Sequence, residues 1–323
     1  MSALAWCFLG LVALVAGAEM VVRGGSRLAG LIGIPPILIG LTIVAVGTST
    51  PELAVGIEAA LHGNGSLAVG NIAGTNTFNI LFILGLSALL MPLSLEMRTL
   101  RFDLPVMTVA ALALLAMAWN GVLTRVEGAL LVAGGILYTG AIIRWARRES
   151  RAVIAEFSRE YPVPPPNGGL RKAGPSLSLL VAGIVVIVIG ADWLVGGAVD
   201  LARMIGVSDA FIGLTVVAIG TSSPELVTTV VSTLRQERDI AVGNLIGSSV
   251  YNILFILGMT AMAPAGGIVV EPALIHVDIP VMSAAAIACI PVFLSGRRVS
   301  RAEGGAFVVA YLAYLTYLVV ARG

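Results

Sequence analysis

Apolar residues run through this chain in ten stretches of about twenty, each closed by charged residues or by Gly and Pro: 3–22, 35–61, 67–90, 102–120, 126–146, 176–199, 208–234, 240–263, 273–295 and 303–321. A helix rises about 1.5 Å per residue, so about twenty apolar residues cross a hydrocarbon core of roughly 30 Å. The pattern predicts an all-α, polytopic membrane protein with ten transmembrane helices. One long polar interval, 147–175, holds Arg147, Arg148, Arg151, Arg159, Arg171, Lys172 and the run Pro162-Val163-Pro164-Pro165-Pro166. It reads as a cytoplasmic, solvated linker joining an N-terminal five-helix half, 1–146, to a C-terminal half, 176–323.

Of the 323 residues, 58% are hydrophobic and 11% charged, against about 45–50% and about 25% in soluble domains, which excludes a soluble globular protein. Charge then orients the helices. Sixteen of the nineteen Lys and Arg lie in or beside the loops after spans 1, 3, 5, 7 and 9, and basic loops stay on the cytoplasmic side. Both termini are therefore expected on the opposite face. No basic residue precedes Arg23, so the first span lacks the charged start of a cleaved signal and is expected to remain. A net charge of +1 suggests no nucleic-acid surface. Cys7 and Cys289, far apart in apolar stretches, read as small core residues.

Shifting the chain by 173 places residues 17–85 on 190–258 without a gap, with 33 of 69 positions identical. The densest matches are Gly47-Thr48-Ser49-Thr50-Pro51-Glu52-Leu53 with Gly220-Thr221-Ser222-Ser223-Pro224-Glu225-Leu226, and the segments Ala68 to Asn71 and Asn79 to Gly85 with Ala241 to Asn244 and Asn252 to Gly258. Asp103 to Met107 echo Asp278 to Met282 at an offset of 175. Five spans is an odd number, so the second copy crosses the membrane in the opposite sense. Inverted repeats with interrupted matching helices point to a secondary transporter whose site lies near the bilayer midplane. A duplicated structural bundle is the plain alternative.

The repeated motif carries the chemistry. A proline inside a helix removes a hydrogen bond and clashes with a preceding carbonyl, so span 2 is expected to break, with Thr50 as N-cap, Pro51 at the first position and Glu52 in the first turn of a new half-helix. Ser223, Pro224 and Glu225 do the same in span 7. The break should free carbonyls around Ala45, Val46 and Gly47, and around Ala218, Ile219 and Gly220, which hydrocarbon cannot leave unsatisfied and a cation can satisfy. Glu52 and Glu225 lie well inside their spans, where an ionisable group is costly enough to mark function. Brought together by the inverted halves, they repel unless a cation sits between them, which invites Ca2+, Na+ or H+. Carboxylates with backbone and amide carbonyls supply the roughly six to eight hard oxygens Ca2+ takes, Mg2+ loses water reluctantly, and no His or Cys in the motifs favours zinc or copper.

On spans 3 and 8, Asn71, Thr75 and Asn79, and likewise Asn244, Ser248 and Asn252, recur every four residues and so share a face. Gly70 with Gly74, and Gly243 with Gly247, form GxxxG pairs that permit close helix approach. These faces are expected to press oxygens onto the broken helices, with Asn79 and Asn252 as ligands and Asn71 and Asn244 as packing; interhelical hydrogen bonding alone is the alternative. Glu58 falls opposite Val231 and points well away from Glu52, toward a mouth or a local pair. Glu19 and Asp192 are matched acids near helix ends, either interfacial or guarding an ion pathway. Asp103 and Asp278 precede prolines by two and read as helix-start caps. His62 and His276 have no matched ligand spacing, and Arg144, Arg147 and Arg148 read as a cytoplasmic anchor.

At these residues the chain resembles the cation/calcium exchanger superfamily, whose repeats read approximately G-T-S-x-P-E and G-N-x-x-G-S-N-x-x-N, and within it the compact bacterial sodium/calcium exchanger branch. The resemblance implies Glu52 and Glu225 as central ion ligands, surrounded by Ala45, Ala218, Thr48, Thr221, Ser49, Ser222, Thr75, Ser248, Asn79 and Asn252. It also implies that helices 1 and 6 slide past the remaining bundle. Thr75 stands where serine is usual. Positions 79 and 252 are both Asn, whereas some members carry an acid at one of them, so the centre holds two formal negative charges.

The reading that follows is a bacterial inner-membrane antiporter, with both termini periplasmic and the lipid bilayer as its surroundings. It is not an enzyme, needs no cofactor, and exchanges Ca2+ for Na+ by alternating access. Ca2+/H+ exchange is the alternative, although proton-coupled branches tend to carry glutamate where this chain has Asn79 and Asn252. An intramembrane enzyme using Ser49 or Ser222 would lack a matched His or Lys to activate the serine. A passive channel would show currents far above carrier turnover.

Overall fold

The computed structural model describes residues 3–32, 36–146, 169–204 and 218–322. The helices are α1 (Ala3–Ile32), α2 (36–48), α3 (Thr50–Leu61), α4 (Gly65–Leu90), α5 (Thr99–Ala118), α6 (Arg125–Ala146), α7 (Gly169–Met204), α8 (Ala218–Thr221), α9 (Ser223–Leu234), α10 (Arg238–Met262), α11 (Leu274–Leu294) and α12 (Arg301–Arg322). Four two-residue strands sit in the connections: β1 (Leu93–Ser94), β2 (Val122–Leu123), β3 (Ile268–Val269) and β4 (Arg298–Val299). Among the described residues, eight helices are long and apolar enough to cross a membrane.

The span at 35–61 is divided at Ser49 into α2 and α3, and that at 208–234 is described from Ala218 onward, as α8 and α9. Two boundaries differ from the sequence expectation. Residues 147–168 of the expected linker lie outside the described residues, but α7 already begins at Gly169 and holds Pro175 within it. Helix α1 continues to Ile32 rather than ending near 22, because Arg23 and Arg27 occupy exposed positions while Val21, Val22, Leu28 and Ala29 stay buried. Charge ended the apolar run there without ending the amphipathic helix.

Contacts come in pairs related by the sequence repeat. Helices α1 and α7 meet backbone to backbone through glycines. A Cβ on Gly17 would stand 2.8 Å from the Gly183 carbonyl oxygen, and one on Gly190 3.0 Å from that of Gly10; the shift of 173 carries Gly10 and Gly17 onto Gly183 and Gly190. Thr108 of α5 donates to the Ala286 carbonyl of α11 at 3.5 Å, and its match Ser283 donates to Ala111 at 3.3 Å. In the same way α4 packs on α12 through Gly85 and Gly304, and α10 on α6 through Gly258 and Gly128.

The strands establish the inversion. β1 pairs with β4, Leu93 opposite Val299, and β2 pairs with β3, Leu123 opposite Ile268. Helix α5 starts beside β1 and ends at β2, so the two ribbons close opposite ends of the bundle. β3 follows α10 as β1 follows α4, yet it lies at β2's end. The halves therefore run in opposite senses.

Candidate ion-binding site

Each interrupted helix departs from regular geometry at one serine. Ser49 has φ −86° and ψ 11°, and Ser222 φ −86° and ψ 3°. Pro51 and Pro224 bring no N–H, so the carbonyls of Gly47 and Gly220, four residues earlier, lose their main-chain donor. Two local expectations are corrected. The carbonyl of Ala45 is not freed: it accepts the Ser49 N–H at 3.1 Å and the hydroxyls of Thr48 and Ser248 at 3.3 and 3.5 Å. Thr50 and Ser223 do not cap the new helices but begin them, and the Thr50 hydroxyl turns back to the Val46 carbonyl at 3.2 Å. The chain stays close to helical through the serine, so the hydroxyl of the next residue finds an acceptor one turn behind it.

Glu52 and Glu225 are both fully buried. Ser49 Oγ of the first repeat donates to Glu225 Oε1 of the second at 3.1 Å. Ser49 lies three residues before Glu52, so this bond sets the first repeat's motif against the second repeat's glutamate. Both oxygens of Glu52 and Oε2 of Glu225 have no hydrogen-bond partner among the described residues. No group of three or more His, Cys, Asp and Glu occurs among those residues, so the remaining donors around the pair are hydroxyl, amide and carbonyl oxygens.

Helices α4 and α10 deliver those oxygens. Ser222 Oγ donates to Thr75 Oγ1 at 3.2 Å across the repeats. Gly243 and Gly247 seat α10 on α2: a Cβ on Gly247 would lie 2.8 Å from Leu41 Cα, and one on Gly40 3.2 Å from Gly243 Cα. The matching contacts of Gly70 and Gly74 fall on 213–214, outside the described residues. Asn79 and Asn252 are fully buried, and among the described residues neither end of the Asn79 amide nor Asn252 Oδ1 has a partner. Both lie in π-helical segments, Phe78–Ile83 and Asn252–Leu257, a widened turn common at functional sites. The only signal for it in the sequence is that Asn-Ile-Leu-Phe-Ile-Leu recurs unchanged at 79–84 and 252–257.

Of the other proposed ligands, Thr48, Ser49, Thr75, Thr221, Ser222 and Ser248 are buried near the interruptions, and Ala218 opens α8. Asn244 spends both ends of its amide on protein, accepting from Thr48 Oγ1 at 3.3 Å and donating to Thr229 Oγ1 at 3.1 Å. Asn71 Nδ2 has no partner among the described residues, where Gly56 stands at the position of Thr229 in the second repeat. Asn76, passed over in the sequence because its match is Ser249, lies between Asn252 and the Ser249 backbone.

The remaining candidates go elsewhere. Asp103 and Asp278 make no helix-capping hydrogen bond. They accept the hydroxyls of Tyr138 at 3.2 Å and Tyr314 at 2.5 Å, from the last helix of each half, and Arg98 adds an ion pair to Asp103 at 3.5 Å. Glu19 pairs with Arg23 and, across to the loop after α9, with Arg235 at 2.7 Å, while Asp192 is exposed. The ring of His276 meets Trp119 edge-on at 5.8 Å between centres. The side chain of Glu58 lies outside the described residues.

Comparison with known proteins follows the same architecture. The profile of the family described as sodium/calcium exchanger protein matches residues 2–144 and 175–320. The chain is 37% identical over 311 residues to the putative antiporter CaxA of Alkalimonas amylolytica, covering 94% of this chain and 95% of that one. It is 37% identical to the inner membrane protein YrbG of Escherichia coli (82% and 81% covered) and 32% identical to the sodium/calcium exchanger MaX1 of Methanosarcina acetivorans (96% and 96%). A solved structure of the sodium-calcium exchanger NCX_Mj superposes with a TM-score of 0.84 at 25% identity over 98% of each chain.

Proposed function

Because the chain belongs to the sodium/calcium exchanger protein family, we propose that it exchanges Ca2+ for Na+ across a bacterial inner membrane. In this reading ten helices form two inverted five-helix repeats, the second and seventh are interrupted at a central site, and alternating access exposes that site to each side in turn. The observation that carries it is the pair Glu52 and Glu225, fully buried, drawn from both repeats, with three of four carboxylate oxygens lacking a partner among the described residues. An uncompensated buried carboxylate costs several kcal/mol, and a cation between the two removes that cost.

The glutamates, with Asn79, Asn252, Ser49, Ser222, Thr48, Thr221, Thr75, Ser248 and the carbonyl of Ala218, are the proposed donors, a hard-oxygen set suited to Ca2+ and Na+. One Ca2+ or two Na+ neutralises the two carboxylates. A third Na+ would make exchange move net charge, worth about 2.3 kcal/mol per elementary charge per 100 mV. The glycine-lined α1 and α7 pair is suited to slide as a unit, since its own interface is backbone against backbone.

The reading is tested in inverted vesicles, whose outer face is the cytoplasmic one. An outward-directed Na+ gradient should drive 45Ca uptake, and uptake driven by a pH gradient but indifferent to Na+ would replace Na+ by H+ in the mechanism. Glu52→Gln and Glu225→Gln should each reduce uptake to background while the protein remains monodisperse. Near-normal flux in either would remove the pair from the transport site.

A further inference from the structure

The two amides set into the π-helical turns are not equivalent, and the difference traces to one residue outside the proposed ligand set. Asn76 is buried on α4, three residues before Asn79. Its Nδ2 donates to the main-chain carbonyl of Ser249 at 3.1 Å, with Met282 Sδ 3.7 Å away. A main-chain carbonyl only accepts, so this bond fixes which end of the Asn76 amide faces which way. Oδ1 of Asn76 must then face Asn252, whose Nδ2 donates to it at 3.1 Å. With its NH2 group held, Asn252 has only its carbonyl oxygen left to turn toward the site, and that oxygen is buried without a partner among the described residues. The match of Asn76 in the second repeat is Ser249, and among the described residues the Ser249 hydroxyl has no partner and neither end of the Asn79 amide is held.

We infer that Asn76 is a positioning residue for ion binding: through the chain Ser249 carbonyl, Asn76, Asn252, it locks the Asn252 carbonyl toward the cation, so that one amide ligand is preset and the other, Asn79, adapts. This rests on the exchange reading above. A preset oxygen favours whichever ion gains most from a fixed donor, which for a hard divalent ion is the one that must exchange its water for protein oxygens.

The test uses full-length protein in proteoliposomes, with Na+-driven 45Ca uptake as readout. Asn76→Ala should raise the KM for Ca2+ about tenfold, the order expected for losing one oriented polar contact, with maximal rate within twofold. The decisive measurement repeats the substitution in an Asn252→Asp background. A carboxylate has two equivalent oxygens and needs no orienting, and Asn76 Oδ1 would only repel it, so there the same substitution should leave KM unchanged or lower it. A tenfold loss persisting in that background, or a fall in maximal rate with KM unchanged, would assign Asn76 to packing and overturn the inference. Should Asn76→Ala fail to fold, Asn76→Ser, which copies the residue of the other repeat, carries the same expectations. Glu52→Gln in the same assay separates the two levels. If it transports, the exchange reading fails; if it is inactive while Asn76→Ala matches the parent protein in both backgrounds, this inference alone fails.

Discussion

At the scale of single residues, buried amides divide by whether the protein itself satisfies them. Asn244 bonds Thr48 and Thr229, so Asn244→Ala removes two buried hydrogen bonds and should cost about 1–3 kcal/mol, seen as a lower Tm in detergent without Ca2+. Asn79 has no partner to lose among the described residues. Asn79→Ala should leave the ion-free Tm within a degree or raise it, while shrinking the Tm increase that saturating Ca2+ produces. Equal losses of ion-free stability in both variants would contradict the division. The residue types were legible because the repeat preserved them in both copies. Their partners were not, since a side chain's nearest acceptor depends on which helix the fold lays beside it. Asp103 and Asp278 illustrate this: a local capping rule fits their positions, but tyrosines 35 and 36 residues further on take their carboxylates.

At the scale of elements, the interruption of the second helix was legible from Pro51, but its extent was not. One serine departs from the ladder rather than a full turn, because only the donor that proline lacks is lost. Pro224→Ala should return an N–H to the Gly220 carbonyl, raise Tm by a few degrees and slow exchange several-fold, if the interruption serves as the pivot. Faster exchange with higher Tm would assign the proline to assembly instead. The π-helical turns at Asn79 and Asn252 left no compositional mark, since their residues are ordinary helix-compatible apolar ones and the widening is imposed by packing. The α1 and α7 contact gives a second element-level expectation. Gly17→Leu would put a side chain where even a Cβ stands 2.8 Å from the Gly183 carbonyl, and should lower Tm and abolish exchange. Val12→Leu, on an exposed face of the same helix, should do neither.

At the scale of the whole molecule, inversion was legible from parity alone, since a duplicated unit with an odd number of crossings must reverse. The strands add the geometry that parity lacks: each ribbon joins a connection of one half to a different connection of the other, and the two ribbons lie at opposite ends of α5. Basic residues concentrate at one of those ends, where Arg298 belongs to β4 and Arg235 reaches Glu19. That end is therefore expected in the cytoplasm. With Cys7 and Cys289 replaced by alanine, single cysteines at the exposed positions Ser94 and Val269 should report opposite faces. A membrane-impermeant maleimide should label Val269→Cys from outside intact spheroplasts and Ser94→Cys only in inverted vesicles. These two positions belong to matching loops of the two repeats, so labelling of both from one side would mean that the copies run parallel. The two glutamates would then no longer be related by an axis lying in the membrane plane, and the shared central site would lose its geometric basis.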